Sequence, residues 1–163
     1  MNCFVRKLTA VILSGIVTFP LLNAFDIVRD GQPRCRIVLP SESSLQEKLA
    51  AEELSGYARK ITGAALPVQN APSSDSGNIF LLSGKAADSV LQGKKMSSDG
   101  FCIQSGKNLS IASPTSLGVL YGVYTLLEKY AGVRWLFPGK DGEYFTPSGT
   151  LMIPDGEFVS NPS

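Results

Sequence analysis

Gly118–Glu143, GVLYGVYTLLEKYAGVRWLFPGKDGE, contains a helix, its stop, a strand and a turn-rich loop in immediate succession. Leu117, Val119, Leu120, Val123, Leu126 and Leu127, together with Tyr121, Tyr124 and Tyr130, put apolar groups on nearly every side of the helix. Such a helix is covered rather than superficial, and each buried Leu or Val in it contributes about 1.5–3 kcal/mol. Pro114 suits its first turn, so its start falls near Ser113–Ser116. Gly118 and Gly122 lie one turn apart and permit close backbone approach. A membrane dimerisation pair has the same spacing, but Glu128 and Lys129 close the apolar run too early for a span. Gly132 ends the helix. Val133–Phe137 reads as a strand carrying the only Trp of the chain, followed by a Pro- and Gly-containing loop.

A second helix lies upstream. Ser44 and Glu47 match a capping box, in which each side chain satisfies the other's free backbone N–H. Leu45, Leu49, Ala50, Leu54, Tyr57, Ala58 and Ile61 then recur at helical spacing. Glu47, Glu52 and Glu53 come early and Arg59 and Lys60 late, as the helix dipole favours, and Gly63 supplies the stop. Between the helices, Leu66-Pro67-Val68 reads as an edge strand, because Pro cannot donate to a ladder. Ile79–Leu82 reads as an interior strand, and Ala86–Leu91 as one or two helical turns. Phe101–Gln104 and Leu109–Ala112 form a hairpin pattern around Gly106-Lys107-Asn108. Arg34–Leu39 and Leu151–Ile153 are further strands. Strands and helices do not alternate strictly. The order predicts an α+β fold: a mixed, mostly antiparallel sheet with two main helices packed on one face.

The front end reads as a signal peptide over residues 1–24: Arg6 and Lys7, an apolar run from Leu8 to Leu22, then Leu22-Asn23-Ala24 at the cleavage position. A membrane anchor is the other reading. The run is short for a span of ~20 residues, and Pro20 interrupts it. The expectation is therefore a secreted or periplasmic protein that meets the membrane only through its signal. Cleavage leaves about 139 of the 163 residues, enough for one domain over 25–159. Net charge is +1 with no basic cluster, which argues against a nucleic-acid partner. Cys35 and Cys102 remain after cleavage. Export permits a disulfide between them, but two buried thiols packing as small hydrophobes is the favoured reading.

No His occurs in the chain. Ser-His and Cys-His catalysis and the commonest metal ligand are thereby removed. Spaced Cys clusters for zinc and glycine loops for phosphates are missing as well, so neither metal nor cofactor is expected. Asp141 and Glu143 are the most suggestive carboxylate pair, since a glycosidase sets two acids around one bond. On a short Gly-containing loop they are more simply solvated turn residues. Arg134, Trp135 and Tyr144 offer a sugar-facing or partner-facing surface; in the plainer reading Trp135 fills the core and Arg134 alternates to solvent. Trp135-Leu136-Phe137 is also an apolar strip of the kind that marks a contact. Asn108-Leu109-Ser110 matches a glycosylation sequon and is taken as a chance match.

The helix AAEELSGYARKITGAALPV (from Ala50), the run IFLLSG (from Ile79), the hairpin DGFCIQSGKNLSIAS (from Asp99) and LGVLYGVYTLLEKYAGVRWLFPGKDGE (from Leu117) together resemble one known domain. It is the N-terminal domain of xylan alpha-glucuronidases and related exported glycoside hydrolases. It is also similar to the domain preceding the barrel in beta-hexosaminidases. The resemblance runs from about Ile37 to Phe158. It is most specific at Tyr57–Gly63, Gly118–Gly122 and Gly132–Trp135. It implies a non-catalytic accessory domain of an exported glycoside hydrolase acting on plant-type or other complex polysaccharide. The catalytic acids would belong to a following (β/α)8 barrel at the C-terminal ends of its strands. The loop after Trp135 would lie against that barrel or its pocket rim. Residues 160–163 would begin the linker to it, so the expected partner is the barrel, with carbohydrate as a further candidate. A stand-alone carbohydrate-binding or partner-docking module is the alternative.

Overall fold

Residues 23–72 and 74–162 are described by a computed structural model. Except for its last two positions, the expected signal peptide lies outside them. In chain order the elements are β1 (Ala24–Arg29), β2 (Gln32–Pro33), β3 (Arg36–Val38), α1 (Leu45–Thr62), β4 (Val68–Gln69) and β5 (Asn78–Ser83). A 3-10 turn (Gly84–Ala87) leads into the short α2 (Asp88–Leu91), then β6 (Phe101–Ser105), β7 (Leu109–Ser113) and α3 (Ser116–Tyr130). After them come β8 (Arg134–Trp135), a 3-10 turn (Lys140–Gly142), β9 (Glu143–Tyr144), β10 (Leu151–Pro154) and β11 (Gly156–Ser160).

Local chemistry sets the helix ends. Ser44 Oγ accepts from the Glu47 N–H, and Glu47 Oε2 accepts from the Ser44 N–H at 2.8 Å, so the capping box is complete. Gly63 stops α1 in the left-handed region, with φ 81°. The α3 N-cap is Thr115, whose Oγ1 accepts from the Gly118 N–H at 3.1 Å. Pro114 lies just outside that cap. Beyond the helix, Gly132 takes φ 70°.

The main sheet has six strands in the order β11-β6-β7-β5-β3-β4. β3 runs parallel to β4 and β5, and β5 parallel to β7, whereas β6 and β11 join antiparallel. A second sheet, β10-β1-β2, and the β8–β9 hairpin are wholly antiparallel. Antiparallel pairings thus prevail, with a parallel block, β7-β5-β3-β4, running to one edge of the main sheet. That block exists because the chain returns from β3 through α1, and from β5 through the antiparallel strand β6, to the same end of the sheet; parallel neighbours need such crossovers.

Side chains alternate across the sheet. Ile37, Ile79, Leu81, Ile103, Leu109 and Ile111 point into one core with Leu54, Tyr57 and Ile61 of α1 and Val119, Val123, Leu126 and Leu127 of α3. Both main helices therefore cover one face. The opposite face carries a small cluster of Cys102, Ala112, Ala87 and Leu91, roofed by α2. α3 sits very close to the sheet. A Cβ on Gly122 would stand 2.5 Å from Ile111 Cγ2, and one on Gly118 would overlap Ser113 Oγ. Cys35 and Cys102 are buried free thiols in the two different clusters. Cys35 Sγ donates to the Ile27 carbonyl at 3.5 Å.

One strand differs from expectation. The strand expected over Val133–Phe137 is shorter: only Arg134 and Trp135 pair, and they pair with β9 rather than with the main sheet. Val133 alone enters the core, while Leu136 and Phe137 are 71% and 55% exposed. Gly142 packs directly against the Phe137 backbone, which turns the chain out of a ladder. In addition, β1, β2, β9 and β11 form where no strand was anticipated.

Candidate functional site

The hairpin β8–β9 sets its side chains over the C-terminal halves of α1 and α3. Register pairs Arg134 with Tyr144 and Trp135 with Glu143. The Trp135 indole is neither core nor free: it is 38% exposed, and its Nε1 donates to the Tyr57 hydroxyl at 2.7 Å. Tyr57 and Tyr124 meet it edge-on, with centroids 5.6 and 5.3 Å away. Phe145 adds a further edge-on contact to Tyr57. Such pairs contribute about 0.5–1.5 kcal/mol each beyond area burial. One indole face is thus held rigidly and the rest of the ring meets solvent.

The charged groups are engaged as well. Lys60 Nζ donates to Glu143 Oε2 at 2.6 Å and lies 4.3 Å from the Tyr57 ring centroid. The hydrogen bond to Glu143 raises the Lys60 pKa. Burial chiefly raises the Tyr57 and Tyr124 phenols. Arg134 Nη1 donates to the Glu128 carbonyl at 2.7 Å and to its neighbour Val133 at 2.8 Å. It therefore closes the C-terminal end of α3, where a cation is favoured. Asp141 is exposed within the 3-10 turn, and Tyr144 is exposed on β9.

Five anticipated residues therefore share one hairpin but not one reaction centre. Glu143 is tied to α1, Asp141 faces solvent, and no group of His, Cys, Asp and Glu among the described residues could hold a metal ion. Tyr57, Lys60 and Tyr124 were not anticipated as site residues. Their signal was the helical stripe: Tyr57 and Lys60 lie one turn apart on α1, and Tyr124 faces them from α3. The sequon's Asn108 is internally committed. Its Oδ1 accepts from the Asn78 N–H and its Nδ2 donates to the Asp75 carbonyl.

Around the hairpin lies an apolar surface. Trp135, Leu136, Phe137, Pro138, Gly139 and Glu143 line a shallow open depression of about 590 Å3. Leu117 and Tyr121 continue the Tyr124 stripe along α3 at i, i+4 and i+7, and both are exposed. Leu45 and Leu49 do the same at the start of α1. The helix N-termini touch at Gln46 and Ser116, and their later turns meet around Trp135, so α1 and α3 run parallel. The outer side of the helix layer thus carries apolar groups at the start of both helices and again at the Trp135 hairpin, with Glu52, Glu53 and Lys60 between them on α1.

A family model described as the N-terminus of glycosyl hydrolase family 67 matches residues 31–126, more than half of the chain. The chain belongs to this family. No curated protein matches it. Among solved structures, the family 67 N-terminal domain is similar to part of a family 115 4-O-methyl-alpha-glucuronidase with specificity for decorated arabinogalactans. That match has TM-score 0.58 and 20% identity over 85% of this chain and 18% of that one. It is also similar to part of the family 20 beta-N-acetylhexosaminidase of Streptomyces coelicolor, with TM-score 0.56 and 19% identity over 85% of this chain and 24% of that one. A beta-hexosaminidase of Streptomyces plicatus gives TM-score 0.56 at 17% identity. These likenesses establish a shared fold, and the family match makes it that of a glycoside hydrolase N-terminal domain. The chain spans about a quarter or less of each enzyme's length.

Proposed function

We propose that this domain is the non-catalytic seat of a (β/α)8 barrel in an exported glycoside hydrolase acting on complex, plant-type polysaccharide. The outer side of the helix layer would face the barrel. The carrying observation is the apolar strip from Leu45 and Leu49 through Leu117 and Tyr121 to Trp135, Leu136 and Phe137. Exposed apolar patches of this extent mark contacts, and rigid aromatic anchors such as Trp135 are favoured at their centres. The separation of Asp141 from Glu143's ion pair supports a scaffold role over a catalytic one. The α-glucuronidase likeness is what suggests the substrate class, and the leader-like first 24 residues are what suggest export.

The test is co-expression with a separately encoded family 67 barrel. The wild-type domain should co-purify with the barrel, whereas a Leu136→Gln/Phe137→Gln variant that melts normally should not. The isolated domain should leave aryl glucuronides and aryl N-acetylhexosaminides untouched. Turnover abolished by Asp141→Asn or Glu143→Gln would overturn the reading. A second reading, direct carbohydrate binding, has one observation in its favour: the half-open indole beside the depression. It requires Trp135 fluorescence to shift on titration with glucuronoxylan oligosaccharides.

A further inference from the structure

A second concavity, of about 510 Å3, shares no residue with the Trp135 depression. Three cations from separated parts of the chain line it. Arg29 comes from the end of β1, Arg34 from the link between β2 and β3, and Lys107 from the β6–β7 turn. Asp26 is its only acid and is already paired with Arg29 at 2.9 Å. Among the described residues no hydrogen bond or ion pair engages the Arg34 guanidinium or the Lys107 ammonium. Gly77 and Gly106 form part of the wall, so backbone rather than side chain borders the space between the cations. The Gly77 N–H donates to the Lys107 carbonyl at 3.3 Å, and a Cβ on Gly77 would stand 3.0 Å from the Arg34 carbonyl. The loops carrying Arg34 and Lys107 are thereby fixed against the same glycine.

We infer that this concavity binds an oxyanion group, either the carboxylate of an acidic saccharide or a free inorganic oxyanion. Arg34 and Lys107 bring unpaired positive charge to one concavity in a chain whose overall charge is only +1. Guanidinium groups suit planar carboxylates because they donate in a fixed fork. Lys107 adds a mobile point charge. The inference does not depend on barrel docking, which concerns the helix layer.

The full chain, labelled with 15N, is titrated at constant ionic strength with sodium glucuronate, with glucose and with sodium sulfate. The backbone amides of Gly77, Gly106 and Lys107 should shift with glucuronate and stay still with glucose. The Arg34→Gln/Lys107→Gln variant should weaken binding by ~10-fold or more, since charge-assisted hydrogen bonds are lost. Its spectrum elsewhere should match the wild type. A sulfate response equal to that of glucuronate assigns the site to oxyanions in general; glucuronate alone assigns it to an acidic saccharide. Absence of any shift, an equal response to glucose, or an unchanged affinity in the variant overturns the inference. None of these outcomes bears on co-purification with the barrel.

Discussion

Trp135 shows how one residue is shared between fold and surface. Its N–H is satisfied by Tyr57 at 2.7 Å, and a net hydrogen bond of this kind contributes about 1 kcal/mol. Trp135→Phe and Tyr57→Phe should each lower unfolding free energy by ~1 kcal/mol, and the double variant by scarcely more, because both remove the same bond. Urea unfolding of the four proteins checks this; full additivity would show that the bond contributes nothing. The thiols give a pH prediction. Burial pushes Cys35 up to about 12 and Cys102 up to about 11, from an ordinary 9.0. Folding therefore favours the protonated thiols. This stabilisation is whole below pH 9, where unfolded thiols are also protonated. It declines as pH rises above 9 and is gone above about 12. Neither thiol should react with a disulfide reagent at pH 8 while the protein is folded, and both should react in denaturant. Two free thiols were foreseeable from the sparse, apolar settings of Cys35 and Cys102 only as buried groups; that the sheet lies between their clusters needed the strand order.

At the scale of elements, α1 depends on its first turn. Glu47 is buried, and its carboxylate is held by the Ser44 N–H and Oγ. Ser44→Ala removes the cap and one of these partners, so a loss of ~1–2 kcal/mol is expected. Thermal and urea midpoints that do not move would refute it. The sheet contact of α3 is stricter. Gly122→Ala forces Ile111 to shift and should cost ~1–3 kcal/mol by overpacking, whereas Gly56→Ala meets open space and should stabilise α1 by up to ~1 kcal/mol. Both helices, and the two caps of α1, were legible because these signals are local: Ser44 to Glu47, Gly63, and the apolar run from Leu117; the Thr115 cap of α3 was placed only to within a few residues. The hairpin β6–β7 was legible for the same reason. The strand read over Val133–Phe137 proved shorter than expected, because an apolar run does not say what will cover it. Val133 is buried and Trp135 half-covered, whereas Leu136 and Phe137 are exposed. β1 was missed because it adjoins the apolar leader and shares its composition. A mixed sheet was legible, but not which of its strands run parallel, because parallel neighbours are paired through long crossovers, which leave no local mark.

At the scale of the molecule, one side of the helix layer is more apolar than a monomer of this size requires. Leu45 is 78% exposed, and Leu136 and Phe137 are more than half exposed. Charge does little to keep copies apart, because net charge is +1 and the isoelectric point is near 7.6. Low net charge favours association through such patches. The isolated chain should therefore self-associate with rising concentration near pH 7.6. Leu45→Gln, Leu136→Gln and Phe137→Gln together should leave it monomeric by sedimentation at the same concentration. Each change should alter stability by no more than ~0.5 kcal/mol, as for surface substitutions without buried partners. The candidate site was only half legible for the same physical reason: Trp135, Leu136 and Phe137 could be named from sequence, but whether their apolar groups serve the core or a partner depends on which neighbours fold over them. If the triple variant unfolds instead of becoming monomeric, those side chains belong to the core and the strip is not a docking face. If it stays folded and still associates, the contact lies elsewhere on the surface.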